Sequence, residues 1–482
     1  MKKEHIKSFI LILLIVNSIQ LTAQLWLDSS WSGLAKGTSW SVSSLFSFWG
    51  KGNDNLNESK MYADATRPRR IIVNGGGARE VYITDSESYE AALQMSQGVM
   101  ATMKDSSVNV QNISYEQWQN LFKGKSLYLD FGFDVNAATL NSMYGLQTEQ
   151  SNFDSFKRAS GIIITPDAVT NTCLVAVWDE DDDSVYEHKF SCDAMSVLEF
   201  IENSTIGKQQ NDTFAFEINL DTSSTAEGEV ERKVGLTPLS LLSISAEMIE
   251  EKQIETRGLF KDISDLEKFA EKALPTFGYN PSTLRKTVQS NGTVEFVENN
   301  ATIKFGYDGT VEYSAVSKDR GMRISDNEPS ANQAVSDVLK VVRQLWQESG
   351  MEQTSMNLHL ASELIDNKEN NYVVSFDNMH NGIVLNYPSG SNRAVYARVE
   401  DGYITEFVIH LVDISESEET VETIPVLSAI DILYAHHGTN KMIIDDVYKC
   451  YDLGDGESIS VKWAFEVRGT KEILVIDDTT DE

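Results

Sequence analysis

The sequence has few cations, few cysteines and none of the common catalytic signatures. Of its 482 residues, 40 are Lys or Arg and 73 are Asp or Glu, so the formal net charge at pH 7 is −33. Because phosphate binding needs clustered Lys and Arg, this charge argues against nucleic acid and anionic membrane faces as partners. The cysteines number three, and none lies near the N-terminus, which excludes a lipoprotein anchor. The length and the 41% hydrophobic content indicate a globular protein of several domains.

Several stretches resemble ligand-binding or catalytic motifs, but their residues do not have the spacing that those motifs require. The glycines of Ile71–Ile83 lack GxGxxG and GK[ST] spacing and lie between two β-like runs, which favours a hairpin over a phosphate loop. Asp179–Asp183 lacks the glycine and the Glu of a calcium loop, so it is interpreted as a solvated hairpin tip. His436 and His437 have no third ligand. There is no GxSxG, and Asp and Glu are too numerous for a glycosidase pair to stand out. The sequence therefore predicts no catalytic, metal or cofactor residue.

The N-terminus carries an uncharged stretch long enough to cross a membrane. Ser8 to Leu27 contains no charged residue, and roughly 20 residues span a hydrocarbon core. Lys2, Lys3 and Lys7 precede this stretch, so the positive-inside rule places residues 1–7 in the cytoplasm and the remaining chain outside. A cleaved signal peptide is the alternative, although its small-x-small cleavage site is poor here. We therefore expect a single-pass anchor over residues 8–27 in the cell membrane.

Three amide side chains share one face of this predicted anchor. Asn17, Gln20 and Gln24 lie at positions i, i+3 and i+7 of a helix. An amide that faces lipid near the middle of the span is costly, whereas one that bonds to a neighbouring helix contributes roughly 0.5–2 kcal/mol. The alternative is a shorter apolar core with hydrated amides near the outer surface. We interpret the three amides as a helix–helix contact with a partner in the membrane.

Beyond the anchor, composition divides the chain into a tether and a series of α+β units. Residues 28–60 form an aromatic tether, which either lies on the membrane surface or packs on the first domain. Residues 61–232 alternate helical and strand-like stretches and form a first α+β domain. A helix precedes an antiparallel β-meander once in residues 233–328 and twice in residues 329–482. One helix packed across one antiparallel sheet is an α+β arrangement, and this is the predicted fold class.

Local patterns in the first domain predict individual elements. Ser88 to Met103 and Ser114 to Phe122 have helical composition, and each opens with a serine suited to an N-cap. Ser126 to Phe133 alternates like a strand. The run from Asp212 to Leu220 is also interpreted as a strand.

Two of the three cysteines lie on β-like runs on either side of the acidic tip. A hairpin centred between Asp182 and Asp183 pairs Cys173 with Cys192 and Val175 with Phe190. Outside the membrane such a pair can form a disulfide, and two unpaired core cysteines are the alternative. Cys450 is left over and is expected to be buried.

Both ends of the sequence resemble the YycH (WalH) family of Gram-positive bacteria. The opening "MKKEHIKSFILILLIVNSIQLTAQLWLD" is similar to the membrane anchor of that family. The stretches "RPRRIIVNGGGAREVYITDSESYEAAL" and "LYLDFGFDV" resemble the start of its first outer domain. The end, from "VLSAIDILYAHH" through "SVKWAFEVRGTKEILVID", is similar to the closing helix and strands that YycH shares with its companion YycI.

The resemblance implies an extracytoplasmic regulator of a sensor histidine kinase of the YycG (WalK) type, which controls cell-wall metabolism. It implies as partners the kinase itself and a YycI-like companion protein, and it leaves open whether regulation is activating or inhibitory. Independently, the repeated helix-plus-meander pattern and the lack of an assembled catalytic set predict a non-catalytic interaction module with no cofactor. The rival hypothesis is an anchored cell-wall polymer-binding protein or hydrolase.

Overall fold

A computed structural model describes the chain from residue 53 to residue 476, with internal gaps. The described residues are 53–84, 86–105, 108–144, 156–179, 184–208, 212–220, 234–244, 248–324, 329–351, 357–365, 371–387, 393–437, 442–454, 458–468 and 473–476. Within these ranges no helix is long and apolar enough to cross a membrane. The predicted anchor at residues 8–27 lies outside the described residues, and so do Asn17, Gln20 and Gln24.

The described chain is an α+β fold of eight α-helices and 26 strands. The helices are α1 (Asn53–Thr66), α2 (Glu87–Asp105), α3 (Tyr115–Leu121), α4 (Ala137–Met143), α5 (Ala194–Thr205), α6 (Ile263–Ala273), α7 (Ala331–Ser349) and α8 (Val426–His437). The strands are β1 (Arg70–Gly75), β2 (Arg79–Ile83), β3 (Asn109–Ile113), β4 (Lys125–Asn136), β5 (Arg158–Asp167), β6 (Thr172–Asp179), β7 (Ser184–Ser191), β8 (Asp212–Phe214), β9 (Val234–Leu236), β10 (Leu241–Ser243), β11 (Ile249–Arg257), β12 (Arg285–Val288), β13 (Val294–Val297), β14 (Ala301–Phe305), β15 (Thr310–Ala315), β16 (Met322–Arg323), β17 (Leu358–Ile365), β18 (Asn371–His380), β19 (Ile383–Asn386), β20 (Val395–Glu400), β21 (Tyr403–His410), β22 (Asp413–Thr423), β23 (Met442–Asp452), β24 (Ser458–Ile459), β25 (Val461–Val467) and β26 (Ile473–Ile476).

The first sheet has seven antiparallel strands in the order β2-β1-β4-β5-β6-β7-β3. β1 and β2 form the hairpin that the sequence predicts around the glycines, with Gly76 at φ +85° in the turn. Both faces of β1 are covered. Ile71 and Val73 face a core shared with α2 and α5, whereas Ile72 faces a second cluster with Trp118 of α3. This double burial explains the unbroken apolar run at the start of the strand.

Two local predictions in this domain need correction. The predicted cap of α2 is wrong, because Ser86 rather than Ser88 accepts the hydrogen bond from the Tyr89 backbone N–H. The predicted strand over Asp212–Leu220 ends at Phe214, and the chain continues as a 3₁₀ helix. Glu217 causes this change, since its carboxylate accepts hydrogen bonds from the Phe214 backbone N–H and from Arg79. The other predicted cap is confirmed, because Ser114 and Gln117 form a capping box at α3.

The cysteine hairpin has a different register from the predicted one. Cys173 lies opposite Phe190 and Val175 opposite His188, so the pairing is shifted by two residues. Cys192 follows the end of β7 and is held there by its backbone N–H, which donates to the Asn171 carbonyl. The Sγ atoms of Cys173 and Cys192 lie 1.96 Å apart in the structure, across Cα atoms that are 5.6 Å apart. Formation of the bridge in the purified protein stays a prediction.

The second half of the chain is built around one large sheet of 14 strands. Its main path is β12-β13-β14-β15-β21-β20-β18-β19-β23-β25-β26, with β16, β17 and β9 paired at its sides. The pairing of β15 with β21 carries this sheet across the predicted boundary at residue 328. Two of its ladders, β19 with β23 and β9 with β23, are parallel, so the sheet is mixed rather than a series of antiparallel meanders.

Helices cover this large sheet and tie it to the first domain. α6 and α7 lie over it, with Phe269 and Val338 in the same hydrophobic cluster as Phe305 and Phe407. α8 covers the other end of the sheet, where its apolar side chains pack against those of β23 and β25. The largest cluster runs from Tyr62 in α1 to residues of the last strands, so the predicted domains share one core. α1 begins at residue 53, inside the predicted tether, and contacts α7 and β17.

Candidate functional site

A group of buried charged side chains lies where the first sheet meets the large sheet. We call it the buried ion network. Its arginines are Arg69, Arg70 and Arg393, and its carboxylates are those of Asp130, Asp377, Asp446 and Glu466. Buried charges are tolerated only when they are paired and hydrogen-bonded, so each charged group of this network is expected to have a partner of opposite charge.

The first half of the network joins the first sheet to β23. Arg70 begins β1, and its Nε lies 2.5 Å from Oδ2 of Asp130 on the neighbouring strand β4. The same guanidinium reaches Oδ1 of Asp446 on β23, at 3.1 Å from Nη2. Arg70 therefore bridges a carboxylate of the first sheet and a carboxylate of the large sheet. This is the contact that couples the two sheets electrostatically.

Arg69 approaches Asp446 from the residue before β1. Its Nη2 pairs with Oδ2 of Asp446, and its guanidinium carbon lies 4.8 Å from the ring centroid of Tyr448. Space for this side chain comes from Gly132, where an added Cβ would lie 2.5 Å from the Arg69 Nε. Gly132 also has φ +71°, in the left-handed region that glycine tolerates. Glycine at position 132 therefore both leaves room for the Arg69 side chain and allows the positive φ of the backbone.

The second half of the network lies within the large sheet. Nη1 of Arg393 lies 2.8 and 2.7 Å from the two carboxylate oxygens of Asp377 on β18. Nη2 of the same arginine lies 2.5 Å from Oε1 of Glu466 on β25. Glu466 in turn stands directly opposite Asp446 in the β23–β25 ladder. Like charges in that position are destabilising, so each of the two carboxylates needs its own arginine.

The charges of the network shift the pKa values of the groups around it. Burial alone raises the pKa of the Asp446 carboxyl, but the neighbouring Arg69 and Arg70 guanidiniums outweigh it and hold that pKa below its usual value. His359 on β17 is 2% exposed, and burial together with Arg67 and Arg69 lowers its pKa from 6.5 to about 3. Neither ring nitrogen of His359 has a hydrogen-bond partner among the described residues. The imidazole is therefore neutral at pH 7.

This arrangement has a structural role, because its charged groups pair with one another across the contact between the two sheets. The three guanidiniums and four carboxylates are directed at one another, and Tyr448 fills the space between the two halves while burial raises the pKa of its phenol. Over the described ranges, no group of three His, Cys, Asp or Glu side chains is arranged to hold a metal ion. The network therefore fixes the position of the first sheet relative to β18, β23 and β25.

The residues that the sequence singles out lie elsewhere. The amides of the anchor are outside the described residues, as are residues 180–183 of the acidic tip. The predicted hairpin is confirmed, because Asp179 at the end of β6 pairs with Ser184 at the start of β7. Asp179 itself is not solvated, since it is fully buried and its Oδ2 accepts from the Lys157 backbone N–H at 2.7 Å. Cys450 is buried, as expected. His436 is exposed at the end of α8.

Sequence reasoning missed the buried ion network. Its carboxylates lie up to 377 residues from the arginines that they pair with, and no spacing rule connects such positions. One signal was present, since Arg67, Arg69 and Arg70 in the run "RPRR" lead directly into the apolar run 71–73 of β1. Arginines at the start of a strand that is buried on both faces must be paired, although the sequence does not say with what.

The overall fold has a counterpart among solved structures. The crystal structure of YycH from Bacillus subtilis matches this chain with a TM-score of 0.58 and 12% sequence identity, covering 86% of this chain and 97% of that one. The chain has a YycH-like fold. An uncharacterized protein from Eubacterium rectale matches with a TM-score of 0.33 and 15% identity, covering 53% of this chain and 91% of that one. No protein-family model and no curated protein sequence matches the chain.

At 12% identity the likeness establishes the fold alone. The role of Arg69, Arg70 and Arg393 therefore rests on their contacts in this chain. Those contacts are structural, because every guanidinium is engaged with a carboxylate of the same chain.

Proposed function

We propose that this chain is a membrane-anchored, extracytoplasmic regulator of a sensor histidine kinase of the YycG (WalK) type that controls cell-wall metabolism. The observation that carries the proposal is the YycH-like fold over 86% of the chain. In this proposal the chain has no catalytic activity of its own and needs no cofactor. Its partners are the kinase and a YycI-like companion protein.

The predicted anchor supports the same proposal. The proposal puts the described domains on the same side of the membrane as the sensor domain of such a kinase, and the uncharged stretch of about 20 residues behind Lys2, Lys3 and Lys7 supports it. The YycH-like part then lies outside the cell, and the anchor lies beside the helices of the kinase. The buried ion network supports a rigid outer part, because it links the first sheet, which follows the anchor, to the last strands.

The contact in the membrane is proposed to run through the three amides of the anchor. Changing Asn17, Gln20 and Gln24 together to leucine removes their hydrogen bonds to a neighbouring helix while keeping the segment apolar. Three bonds of roughly 0.5–2 kcal/mol each amount to a weakening of association of at least about tenfold. The outer fold and membrane insertion are expected to stay unchanged.

The experiment that tests the proposal is a pull-down of the full-length protein from detergent-solubilised membranes, followed by mass spectrometry. We expect a sensor histidine kinase with an extracytoplasmic domain and a YycI-like protein among the enriched partners, and less kinase with the three-leucine variant. Unchanged kinase recovery with that variant would place the contact in the outer domains. Absence of a kinase, together with hydrolysis of peptidoglycan by the purified protein, would instead support the rival hypothesis of an anchored wall hydrolase.

A further inference from the structure

β11 and β22 form a long two-stranded ribbon on the surface of the molecule, which we call the acidic ribbon. It belongs to a three-stranded sheet in the order β22-β11-β24. Two contacts hold it against β23. The Tyr451 hydroxyl donates to the Lys252 carbonyl at 3.0 Å, and Nζ of Lys449 lies 2.5 Å from Oε1 of Glu251. The ribbon is therefore fixed to the large sheet on one side.

The outer side of β22 has no strand beside it among those that the structure describes. β22 pairs along its length with β11 and with no other described strand. No pairing joins the backbone N–H and C=O groups that point away from β11 to another described strand, and groups of this kind can pair with an added strand. A bulge between Lys252 and Ile254 divides the edge into two straight segments, Asp413–Glu416 and Thr420–Thr423. Each segment is long enough to pair with a few residues of an added strand.

The charge of the ribbon selects what can pair with that edge. Its two strands carry eight acidic and two basic side chains. Glu418, Glu419 and Glu422 are exposed and form no ion pair within the described part of the chain. Glu422 also lies directly opposite Glu250, where two like charges are destabilising. A cation placed at this edge removes that repulsion.

Other occupants fit the edge less well. The described residues contain no group of three carboxylate, His or Cys side chains arranged to hold a metal ion. A second copy of the chain would bring one acidic edge against another, in a protein whose net charge is already −33. Met248 and Ile249, on the β11 side of the ribbon where Ile249 pairs with Thr423, are exposed and give that end of the ribbon an apolar surface.

We propose that the outer edge of β22 binds an extended segment of a protein partner that carries Lys or Arg alternating with apolar residues, by adding it as a further strand. The inference goes beyond kinase regulation, because it specifies the chemistry of the bound segment whichever protein supplies it. Its test uses a synthetic peptide, so it succeeds or fails independently of any kinase.

The test measures binding of a fluorescent peptide of about eight residues, alternating Lys and Val, to the full-length protein in detergent micelles. A second peptide has the same sequence with every backbone nitrogen methylated, which keeps the charge and removes the N–H donors from both of its edges. The protein variant carries Glu418→Lys, Glu419→Lys and Glu422→Lys. Its matched control changes three exposed glutamates elsewhere to lysine, with the same change in net charge: Glu199, Glu298 and Glu348.

We expect the unmethylated peptide to bind at least about tenfold more tightly than the methylated one, and to bind the ribbon variant at least about tenfold more weakly than the control variant. Equal binding of both peptides would show attraction by net charge only and would overturn the proposal. Equal binding to both variants, or no binding to the wild-type protein, would overturn it too. Self-association of the wild-type chain that the ribbon variant abolishes would make a second copy the occupant, and it would equally refute the proposed partner.

Discussion

The neutral imidazole of His359 makes the stability of this fold depend on pH in a specific range. Its pKa is about 3 in the folded chain, against 6.5 in an unperturbed histidine. As the pH falls, the unfolded chain therefore takes up a proton on this residue before the folded chain does. The stability from this group is complete above pH 6.5 and is lost progressively as the pH falls toward 3. Asp446 acts in a more acidic range, because its pKa is lowered and its contribution to stability is lost only below about pH 4.

The size of the effect follows from linkage. Between about pH 7.5 and about pH 5, one group that titrates at 6.5 only in the unfolded state contributes a loss of about 2 kcal/mol in the free energy of unfolding. A His359→Leu variant has no such group. Because neither ring nitrogen makes a hydrogen bond to a described residue, leucine removes no bond and keeps a similar volume. We therefore expect little change in stability at the higher pH and about 2 kcal/mol less loss at the lower one.

The assay is urea unfolding of the wild-type protein and of His359→Leu at both pH values, followed by tryptophan fluorescence. The control is His436→Leu, which removes an exposed histidine. In parallel, the ring signals of His359 in an NMR titration are expected not to shift between about pH 8 and about pH 5. The reasoning is refuted if His359 titrates near 6.5 in the folded protein, or if the variant and the wild type lose the same stability on acidification.

The other predictions concern the ion network and the cysteines. Arg393→Met leaves two carboxylates without their cation in a buried site and should lower the free energy of unfolding by about 3–5 kcal/mol. Arg398→Met is the control: it breaks a more exposed pair and should lower the free energy of unfolding by under about 1 kcal/mol. Similar urea midpoints for the two variants would show that the network contributes nothing beyond a surface pair. For the cysteines, denatured and unreduced protein should show one reactive thiol if the close approach of Cys173 and Cys192 in the fold forms a bridge; three reactive thiols would contradict the bridge.

Local patterns predicted the elements of this fold better than their arrangement. The hairpin around Gly76 and the capping box at Ser114 follow from residues that are close in sequence, and the sequence identified both elements. The cysteine hairpin was placed correctly, but its register was wrong by two residues. The predicted register is centred between Asp182 and Asp183, whereas the pairing of Asp179 with Ser184 centres the hairpin one residue earlier, because packing of the flanking strands sets the register.

The features that the sequence could not predict are long-range. The pairing of β15 with β21 and the parallel ladders of β23 join segments that are far apart along the chain, and apolar periodicity carries no information about partners. The same holds for the ion pair between Arg70 and Asp446, which are separated by 376 residues. Burial of Arg70 is predictable from its place before an apolar strand, but the carboxylate that neutralises it is not.

The proposal that this chain regulates a sensor kinase is tested most directly by the activity of that kinase. The measurement is the autophosphorylation rate of the full-length, YycG-type kinase in lipid vesicles, alone and with an equimolar amount of the full-length chain. We predict that the chain changes the rate, in either direction, and that the variant with leucine at positions 17, 20 and 24 changes it less. A kinase whose rate is the same with and without the chain, at concentrations where both proteins are inserted in the same vesicles, would contradict the proposed function.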